Sequence, residues 1–288
     1  MMNKLTNFVI SILNFVDLII TKIFKRDFRG LLFDKFQTRF QTIKFNDKEI
    51  KIYCPSSIAK WRANTYLSKE PETLKWISEF KNYKSSDIIF WDVGANIGLY
   101  TLYSCLIHQN QFEVIAFEPS VNNLKSLATN ISINSFEDKV KIIPNPLNYQ
   151  NEFSTFYESS ISDGSALNSF SNNLDFEGKS FNSILSYKTL GFSLDYLIEN
   201  SFLKIPNFIK IDIDGNEHLL LEGFKNNLSN SKILQILIEV NENYKEQFES
   251  VIKLMKKNNF NLTDKFKASI LTDNQDSFSN TYNYIFKR

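Results

Sequence analysis

Apolar side chains near the start of the chain recur at the three- and four-residue spacing of a helix. They are Leu5, Phe8, Val9, Ile12, Leu13, Val16, Ile20, Ile23 and Phe24. We expect a helix that either packs on the domain or lies at a membrane interface, with lipid phosphates near Lys4, Lys22, Lys25 and Arg26. The apolar runs are interrupted too often to predict a membrane span, and no small-residue site indicates a removable signal peptide.

The next segment carries a hairpin pattern. Residues 38–53 alternate in places between apolar and polar side chains and contain the turn signal Asn46-Asp47, so we predict a small β-hairpin. Apolar positions from Thr73 to Lys81, shortly after Pro71, predict a short helix. We group residues 1–84 as an N-terminal accessory segment.

From residue 88 onward, short apolar runs alternate with amphipathic segments. The runs predict strands at residues 88–91, 114–117, 140–143, 208–213 and 233–240. The amphipathic segments predict helices at residues 97–107, 121–133, 194–199, 217–227 and 244–257. Residues 262–266 and 282–286 predict a terminal antiparallel pair. This alternation predicts an α/β domain over residues 85–288, with a doubly wound, mostly parallel sheet between two layers of helices.

One segment interrupts this alternation. Residues 150–187 are rich in Ser and Asn and include Asp163-Gly164-Ser165, which is typical of a turn. We expect short strands and loops that form a mobile flap beside the functional site.

Composition narrows the classes of function. Lys plus Arg total 33 against 32 Asp plus Glu, and the net charge of +1 argues against a general nucleic-acid binder. Two cysteines exclude a disulfide framework, and together with two histidines they leave little material for a zinc site. We therefore expect a cytoplasmic protein, with peripheral membrane contact through the N-terminal helix as the open alternative.

A glycine-containing loop follows the first predicted strand of the α/β domain and opens a predicted helix. It reads Asp92-Val93-Gly94-Ala95-Asn96-Ile97-Gly98, in a chain with only eight glycines. Gly94 allows a tight turn beside a ligand, Asn96 tolerates left-handed backbone, and Gly98 permits close helix–strand packing. Glu118 ends the next strand, where a carboxylate accepts ribose hydroxyls. Together these features predict a nucleoside cofactor at the carboxyl edge of the sheet.

Two cofactors fit this layout, NAD and S-adenosylmethionine. The loop lacks the G-x-G-x-x-G spacing that brings a helix N-terminus close to a pyrophosphate. The carboxylate of Asp92 would repel a pyrophosphate but would attract the ammonium and sulfonium groups of S-adenosylmethionine. Electrostatics therefore favours the methyl donor.

The sequence resembles the FkbM family of S-adenosylmethionine-dependent methyltransferases over about residues 85–240. The resemblance rests on the loop at residues 92–98, on Phe117-Glu118-Pro119, and on the block 209–217 with Leu221, Gly223 and Glu239. It implies a Rossmann-like class I methyltransferase fold, S-adenosylmethionine as cofactor, and cofactor contacts from Asp92, Gly94, Ala95, Asn96, Gly98 and Glu118. The chain departs from the family at Asp214, where a glutamate is usual, so its carboxylate reaches one methylene less far.

The block at residues 209–217 carries the candidate chemistry. Its charged residues Lys210, Asp212 and Asp214 alternate with isoleucines, so a strand would put the three charges on one face. We hypothesise that Asp212 or Asp214 is the base that deprotonates an acceptor hydroxyl. We group Glu217 with them as a catalytic candidate. The open alternatives are an ion pair between Lys210 and Asp212 and a helix-cap role for Glu217.

The remaining candidates carry less of the chemistry. His218 is a weaker candidate for the base, and we expect His108 at the surface. A metal bridging Asp212, Asp214 and Glu239 through oxygen ligands is an alternative to our expectation of a site without metal.

We therefore expect an S-adenosylmethionine-dependent methyltransferase that acts by in-line transfer, with a hydroxyl as the acceptor group. The family resemblance implies a sugar, a surface polysaccharide or a natural product as acceptor. Two alternatives stay open: a nucleoside-binding oxidoreductase that uses a cofactor such as NAD, and a non-catalytic protein that keeps the methyltransferase fold to bind a partner.

Overall fold

The N-terminal helix stands apart from the rest of the molecule. The structure is a computed structural model that describes residues 2–25, 27–37, 39–83, 87–108, 112–267 and 280–288; Arg26 and the boundary expected at residues 84 and 85 lie outside them. Helix α1 (Met2–Phe24) contacts α2 (Phe28–Gln37), but its large apolar side chains are exposed. The interpretation of a helix packed on the domain is therefore wrong.

Helix α1 is also long and apolar enough to span a membrane, contrary to what its interrupted apolar runs predicted. In the described part of the chain, residues 4–24 form the one helix long and apolar enough to cross a membrane, and none of it is buried. The polar interruptions are too few to lower the average below the range of membrane-spanning helices. Length and composition alone therefore leave both a spanning and an interfacial helix open.

The predicted hairpin is confirmed, and an unpredicted helix follows it. Strands β1 (Phe40–Phe45) and β2 (Lys48–Tyr53) pair antiparallel around a turn at Asn46, whose φ is 56°. Helix α3 (Ser57–Lys69) begins at an N-cap, because the Ser56 hydroxyl accepts a hydrogen bond of 2.9 Å from the amide of Ala59. Helix α4 (Pro71–Ser78) and a 3-10 turn (Glu79–Asn82) cover the helix predicted for residues 73–81.

The prediction of a doubly wound, mostly parallel sheet is confirmed. The central strands are β3 (Ile88–Val93), β4 (Phe112–Phe117), β5 (Val140–Ile143), β9 (Phe208–Ile211), β10 (Gln235–Asn241), β11 (Asn261–Lys267) and β12 (Thr281–Lys287). Their order across the sheet is β11-β12-β10-β9-β3-β4-β5. The first five are parallel, whereas β11 and β12 form the predicted terminal antiparallel pair, with β12 running antiparallel to β10.

Helices cover both faces of this sheet. They are α5 (Leu99–Ile107), α6 (Val121–Ile133), α7 (Leu194–Glu199), α8 (Glu217–Glu222) and α9 (Lys245–Lys257). Neighbouring residues of β3 serve opposite layers: Phe90 packs with α4, α5 and α6, and Trp91 packs with α7, α8 and α9. This alternation follows from the two-residue period of a strand that is buried on both faces.

The Ser/Asn-rich segment forms a small sheet of its own. Strands β6 (Glu152–Glu158), β7 (Ser169–Phe170) and β8 (Leu185–Gly191) pair antiparallel in the order β7-β6-β8. Its β6–β7 connection is tied to the domain by hydrogen bonds, among them one of 2.8 Å from the Gly164 amide to Asn123 and one of 2.6 Å from the Ser56 hydroxyl to the Asp163 carbonyl. The short strands are confirmed, but the segment does not stand free of the domain as a flap.

Several boundaries and one side chain differ from the sequence-based predictions; α8, for example, ends at Glu222 rather than at residue 227. Helix α5 begins at Leu99 because Gly98 has a φ of 89°. Strand β9 ends at Ile211, so Asp212 and Asp214 follow the strand, and the backbone turns at Asp214, whose φ is 59°. His108 is buried rather than at the surface: its Nε2 lies 2.8 Å from the carbonyl oxygen of Ile77, and aromatic rings stack on it. Burial lowers the pKa of His108.

We predict a large loss of stability for Phe80→Ala. The ring of Phe80 is fully buried and stacks on Phe208 with 3.8 Å between ring centroids, joining the 3-10 turn to β9. A cavity at this site should lower the free energy of unfolding by about 3–5 kcal/mol, measured by urea denaturation. The matched control is Phe153→Ala, which removes a ring that is 71% exposed on β6 and should change stability by about 0.5 kcal/mol or less. Equal effects in the two variants would contradict this prediction.

Candidate active site

The loop between β3 and α5 is held against the neighbouring strand β4. The amides of Gly94 and Ala95 both donate to the carbonyl oxygen of Phe117, at 3.1 and 3.0 Å. Gly94 has a φ of 81°, and a Cβ there would lie 1.8 Å from the backbone oxygen of Asp212. No side chain fits at that distance, so glycine is required where β3, β4 and β9 end together.

Glu118 fastens the same loop from the end of β4. One of its carboxylate oxygens accepts a hydrogen bond of 2.7 Å from the amide of Asn96, and the other accepts one of 2.9 Å from the amide of Ser120. Burial raises the pKa of Glu118 to about 7, despite these two donors. The side chain lines the cavity described below, so its remaining lone pairs face a ligand site.

Asp92 lies beneath the loop. It is fully buried and accepts a hydrogen bond of 2.7 Å from the Thr101 hydroxyl on Oδ2, while Oδ1 has no partner among the described residues. Burial raises the pKa of Asp92. Asp92 and Gly98 are not among the cavity-lining residues, so of the six predicted cofactor contacts the structure places Gly94, Ala95, Asn96 and Glu118 at the cavity.

The candidate charges of β9 form an ion pair at the floor of the cavity. The ammonium of Lys210, only 1% exposed, donates to Asp212 Oδ2 at 2.8 Å and lies 4.9 Å from the centroid of the Tyr100 ring. Burial opposes the charge on each partner, but their attraction prevails: the pKa of Lys210 is raised and the pKa of Asp212 is lowered. The ion-pair interpretation of Lys210 and Asp212 therefore describes the geometry.

Two further carboxylates face the same cavity. Asp214 accepts a hydrogen bond of 2.7 Å from the Leu167 amide, yet burial and the nearby charge of Asp212 raise its pKa to about 6. Burial and Asp212 raise the pKa of Glu239 well above its ordinary value. Asp212, Asp214 and Glu239 all line the cavity, although no group of three His, Cys, Asp or Glu side chains in the described ranges could hold a metal ion.

Glu217 and His218 are placed elsewhere. The carboxylate of Glu217 accepts hydrogen bonds from the amides of Ile213 and Gly215, at 3.0 and 3.1 Å, and one from Gln247. These contacts describe a residue that organises the loop before α8; because both amides precede the helix and its N-cap is Asn216, Glu217 is not a cap for the first turn of α8. Neither Glu217 nor His218 is among the cavity-lining residues, and His218 lies against Tyr244.

These side chains surround one cavity of about 380 Å³, within the range of small-molecule sites. The cavity brings together the glycine loop, Glu118 and the end of β9, as the sequence predicts for the carboxyl edge of a parallel sheet. One wall was not predicted: α3 contributes Trp61, Arg62, Tyr66 and Lys69. The buried positions Ala59, Ala63 and Tyr66 follow a helical i, i+4, i+7 spacing, and this signal could have revealed α3.

The β6–β7 connection closes another side of the cavity, through residues 164–168. It is linked to both neighbouring walls. The Ser165 carbonyl accepts hydrogen bonds of 2.6 and 3.0 Å from the side-chain amides of Asn96 and Asn123. The guanidinium of Arg62 donates to the Gly164 carbonyl at 2.5 Å. The Ser/Asn composition of this segment carried no signal for these particular contacts.

Several known proteins are similar to this chain. The chain is 28% identical over 164 residues to the hexuronic acid methyltransferase AglP of Haloferax volcanii, which covers 54% of this chain and 56% of that protein. The chain thus spans just over half the length of this curated relative. In the solved structure of a methyltransferase FkbM from Methylobacillus flagellatus, the aligned part covers 88% of this chain and 57% of that one, with 15% identity and a TM-score of 0.48.

A second solved structure, M. jannaschii TYW2 in complex with AdoMet, aligns with 86% of each chain at 13% identity and a TM-score of 0.40. The family comparison is the informative one. The methyltransferase FkbM domain matches residues 92–262, from the buried aspartate of β3 to the first residues of β11. Because this match covers more than half of the sequence, the chain belongs to the FkbM methyltransferase family.

Proposed function

We propose that the chain transfers the methyl group of S-adenosylmethionine to a hydroxyl oxygen of a sugar or glycan. One observation carries the proposal: a single cavity is lined by the glycine loop, by Glu118 and by the acidic end of β9. The first two features suit a nucleoside and the third suits a cation, so together they fit a nucleoside that bears a positive charge. Membership of a methyltransferase family supports the same assignment.

The residues present fit this cofactor. Glu118 would accept the ribose hydroxyls, while Gly94 and Ala95 allow close approach because no large side chain fills that edge of the cavity. The carboxylates of Asp212 and Asp214 would attract the ammonium and sulfonium groups. When bound, S-adenosylmethionine supplies a methyl group on sulfur that an oxygen nucleophile can displace in line.

Asp214 is the residue we assign as the base. It lines the cavity, and a pKa of about 6 leaves it mostly ionised at neutral pH yet basic enough to accept a proton from a hydroxyl that is losing its hydrogen. Asp212 is less suited as the base, because the ammonium of Lys210 stabilises the ionised carboxylate of Asp212 and lowers its pKa. Asp214 would take the proton that the acceptor hydroxyl loses when its oxygen receives the methyl group from the bound donor.

Two cations of α3 support an acidic sugar as acceptor. Arg62 and Lys69 line the cavity; Lys69 is paired with Glu70 at 3.2 Å, and the guanidinium of Arg62, whose Nε donates to the Gly164 carbonyl, has further N–H groups that can pair with an acceptor carboxylate. The relative from Haloferax volcanii is named for methylation of a hexuronic acid, which supports the same acceptor class. To identify the acceptor, glucuronic and galacturonic acid oligosaccharides can be incubated with the protein and a methyl-labelled donor, and the products analysed by mass spectrometry.

We predict that Glu118→Gln weakens S-adenosylmethionine binding by about 10- to 100-fold in isothermal titration calorimetry. The substitution keeps the shape of the side chain but removes its charge and one of its two acceptors, and charge-assisted hydrogen bonds have energies of this order. NAD should give no binding heat with either protein, because the loop lacks a pyrophosphate site.

The matched control for this prediction is Glu113→Gln at the other end of β4. Glu113 pairs with Lys141 outside the cavity, so this variant should bind S-adenosylmethionine as the parent does. Binding of NAD in preference to S-adenosylmethionine would support the oxidoreductase alternative, and no binding of either would support a non-catalytic protein.

We predict that Asp214→Asn lowers kcat by about 100- to 10,000-fold, because the acceptor hydroxyl then lacks its base. Asparagine tolerates the left-handed backbone of this position, where φ is 59°, so the loop should keep its shape. The affinity for S-adenosylmethionine, measured by calorimetry, should change far less than kcat. Asp264→Asn on β11 is the control for loss of a carboxylate, and an unchanged kcat in Asp214→Asn would remove this residue from the mechanism.

We predict two separate acid limbs in the pH profile. Protonation of Asp214 should lower kcat as the pH falls through about 6, because a neutral carboxyl cannot accept the proton. Protonation of Glu118 should weaken S-adenosylmethionine binding as the pH falls through about 7. The kcat limb should disappear in Asp214→Asn while the binding limb remains, and a single shared limb in both measurements would contradict the assignment.

A further inference from the structure

Most of the apolar side chains of α1 occupy one side of the helix, whereas Ile10, Leu18 and Phe24 lie outside it. At 3.6 residues per turn, the others fall within an arc of about 160°. The arc contains Leu5, Phe8, Val9, Ile12, Leu13, Phe15, Val16, Ile19, Ile20 and Ile23. Phe8 and Phe15 are 64% and 65% exposed, whereas Leu13, Val16 and Ile20 are half-buried, so the larger part of this face lies open. We call it the apolar face of α1. A contiguous exposed apolar patch of this kind marks an interaction site.

The opposite side of α1 is mostly polar, and α2 contacts part of it. The amide of Arg29 at the start of α2 donates to Asp17 Oδ1 at 2.9 Å, and the Arg29 guanidinium donates to Asn14 Oδ1 at 2.6 Å. Ser11 donates to the carbonyl of Asn7 within the helix. Helix α2 therefore contacts α1 at Asn14 and Asp17 and leaves most of the apolar face of α1 for another environment.

Lysines flank the apolar face of α1 at both ends. Lys4 and Lys22 are 18 residues apart, which is five turns, so they lie on the same side of the helix about 27 Å apart. Both stand about 20° from Phe15 around the helix axis, at the edge of the apolar face. Long basic side chains in this position can reach lipid phosphates while the neighbouring rings enter the acyl region.

We propose that α1 lies in the plane of an anionic lipid bilayer, with the apolar face of α1 immersed at the boundary between headgroups and acyl chains. An in-plane helix keeps Asn7, Ser11 and Asp17 on the water side, where α2 can stay attached. A spanning helix would carry these polar groups into hydrocarbon, where each is costly unless it has a partner. The proposal is independent of the proposed methyl transfer, because α1 contributes no residue to the cavity.

The test is flotation of the purified chain with vesicles of phosphatidylcholine, alone or mixed with phosphatidylglycerol as the anionic lipid. We expect binding to the anionic vesicles that weakens at high salt. The double variant Phe8→Asp/Phe15→Asp should lose more than about tenfold in partitioning, since each ring contributes burial in the bilayer. Lys4→Gln/Lys22→Gln should lose about 30-fold in partitioning to anionic vesicles, at about 1 kcal/mol per lysine, and little to neutral ones.

The control is Phe153→Asp, which replaces an equally exposed ring on β6 and should float like the parent chain. Thermal unfolding followed by circular dichroism should be the same in all variants, because α1 is not packed on the domain. Equal flotation of the parent and Phe8→Asp/Phe15→Asp would overturn the proposal.

Three other results would also overturn it. Cellular protein that resists alkaline carbonate extraction would indicate a spanning helix. Cellular protein whose mass lacks the first residues would indicate a removed signal sequence. A parent dimer that Phe8→Asp/Phe15→Asp converts to monomer, with no vesicle binding, would assign the apolar face of α1 to a second copy of the chain.

Discussion

The buried ammonium of Lys210 is the constraint on which the floor of the site depends. Removing a charge from water costs several kcal/mol unless partners compensate for it, and this one lies in the central strand of the sheet. The compensation comes from three separate parts of the chain: Asp212 just after the same strand, Asp92 opposite Lys210 on β3, and Glu70 before α4. Tyr100 of α5 contacts Lys210 through its ring and donates to Glu70 at 2.6 Å.

This arrangement also divides the acidic groups by their chemistry. Asp212 pairs directly with Lys210, which lowers the pKa of Asp212 and keeps it ionised. Asp214 lies outside that pair, and burial and the charge of Asp212 raise its pKa. Two aspartates two residues apart therefore have pKa values displaced in opposite directions. Such a separation is how one site can hold a fixed charge and a proton acceptor side by side.

Much of the fold was predictable because the central strands are buried on both faces and read as continuous apolar runs. The hairpin around Asn46 and helices such as α6 and α7 follow from local turn and capping signals. Helix α3 was missed, and with it Arg62 and Lys69, since no glycine or charged motif marks that wall. The positions of Glu217 and Asp92 outside the cavity were also unpredictable. Neighbouring residues of one motif lie on the same segment of chain, but their side chains point in different directions.

By itself, the sequence determined the order of strands and helices, the glycine loop and the acidic end of β9, because these depend on periodicity and on local backbone geometry. Only the tertiary structure decided which of those groups meet. It paired Lys210 with Asp212, brought α3 and the β6–β7 connection to the cavity, and left the apolar face of α1 open. Contacts between segments distant in the chain depend on how layers pack and which charges they bury together, and no local pattern records that.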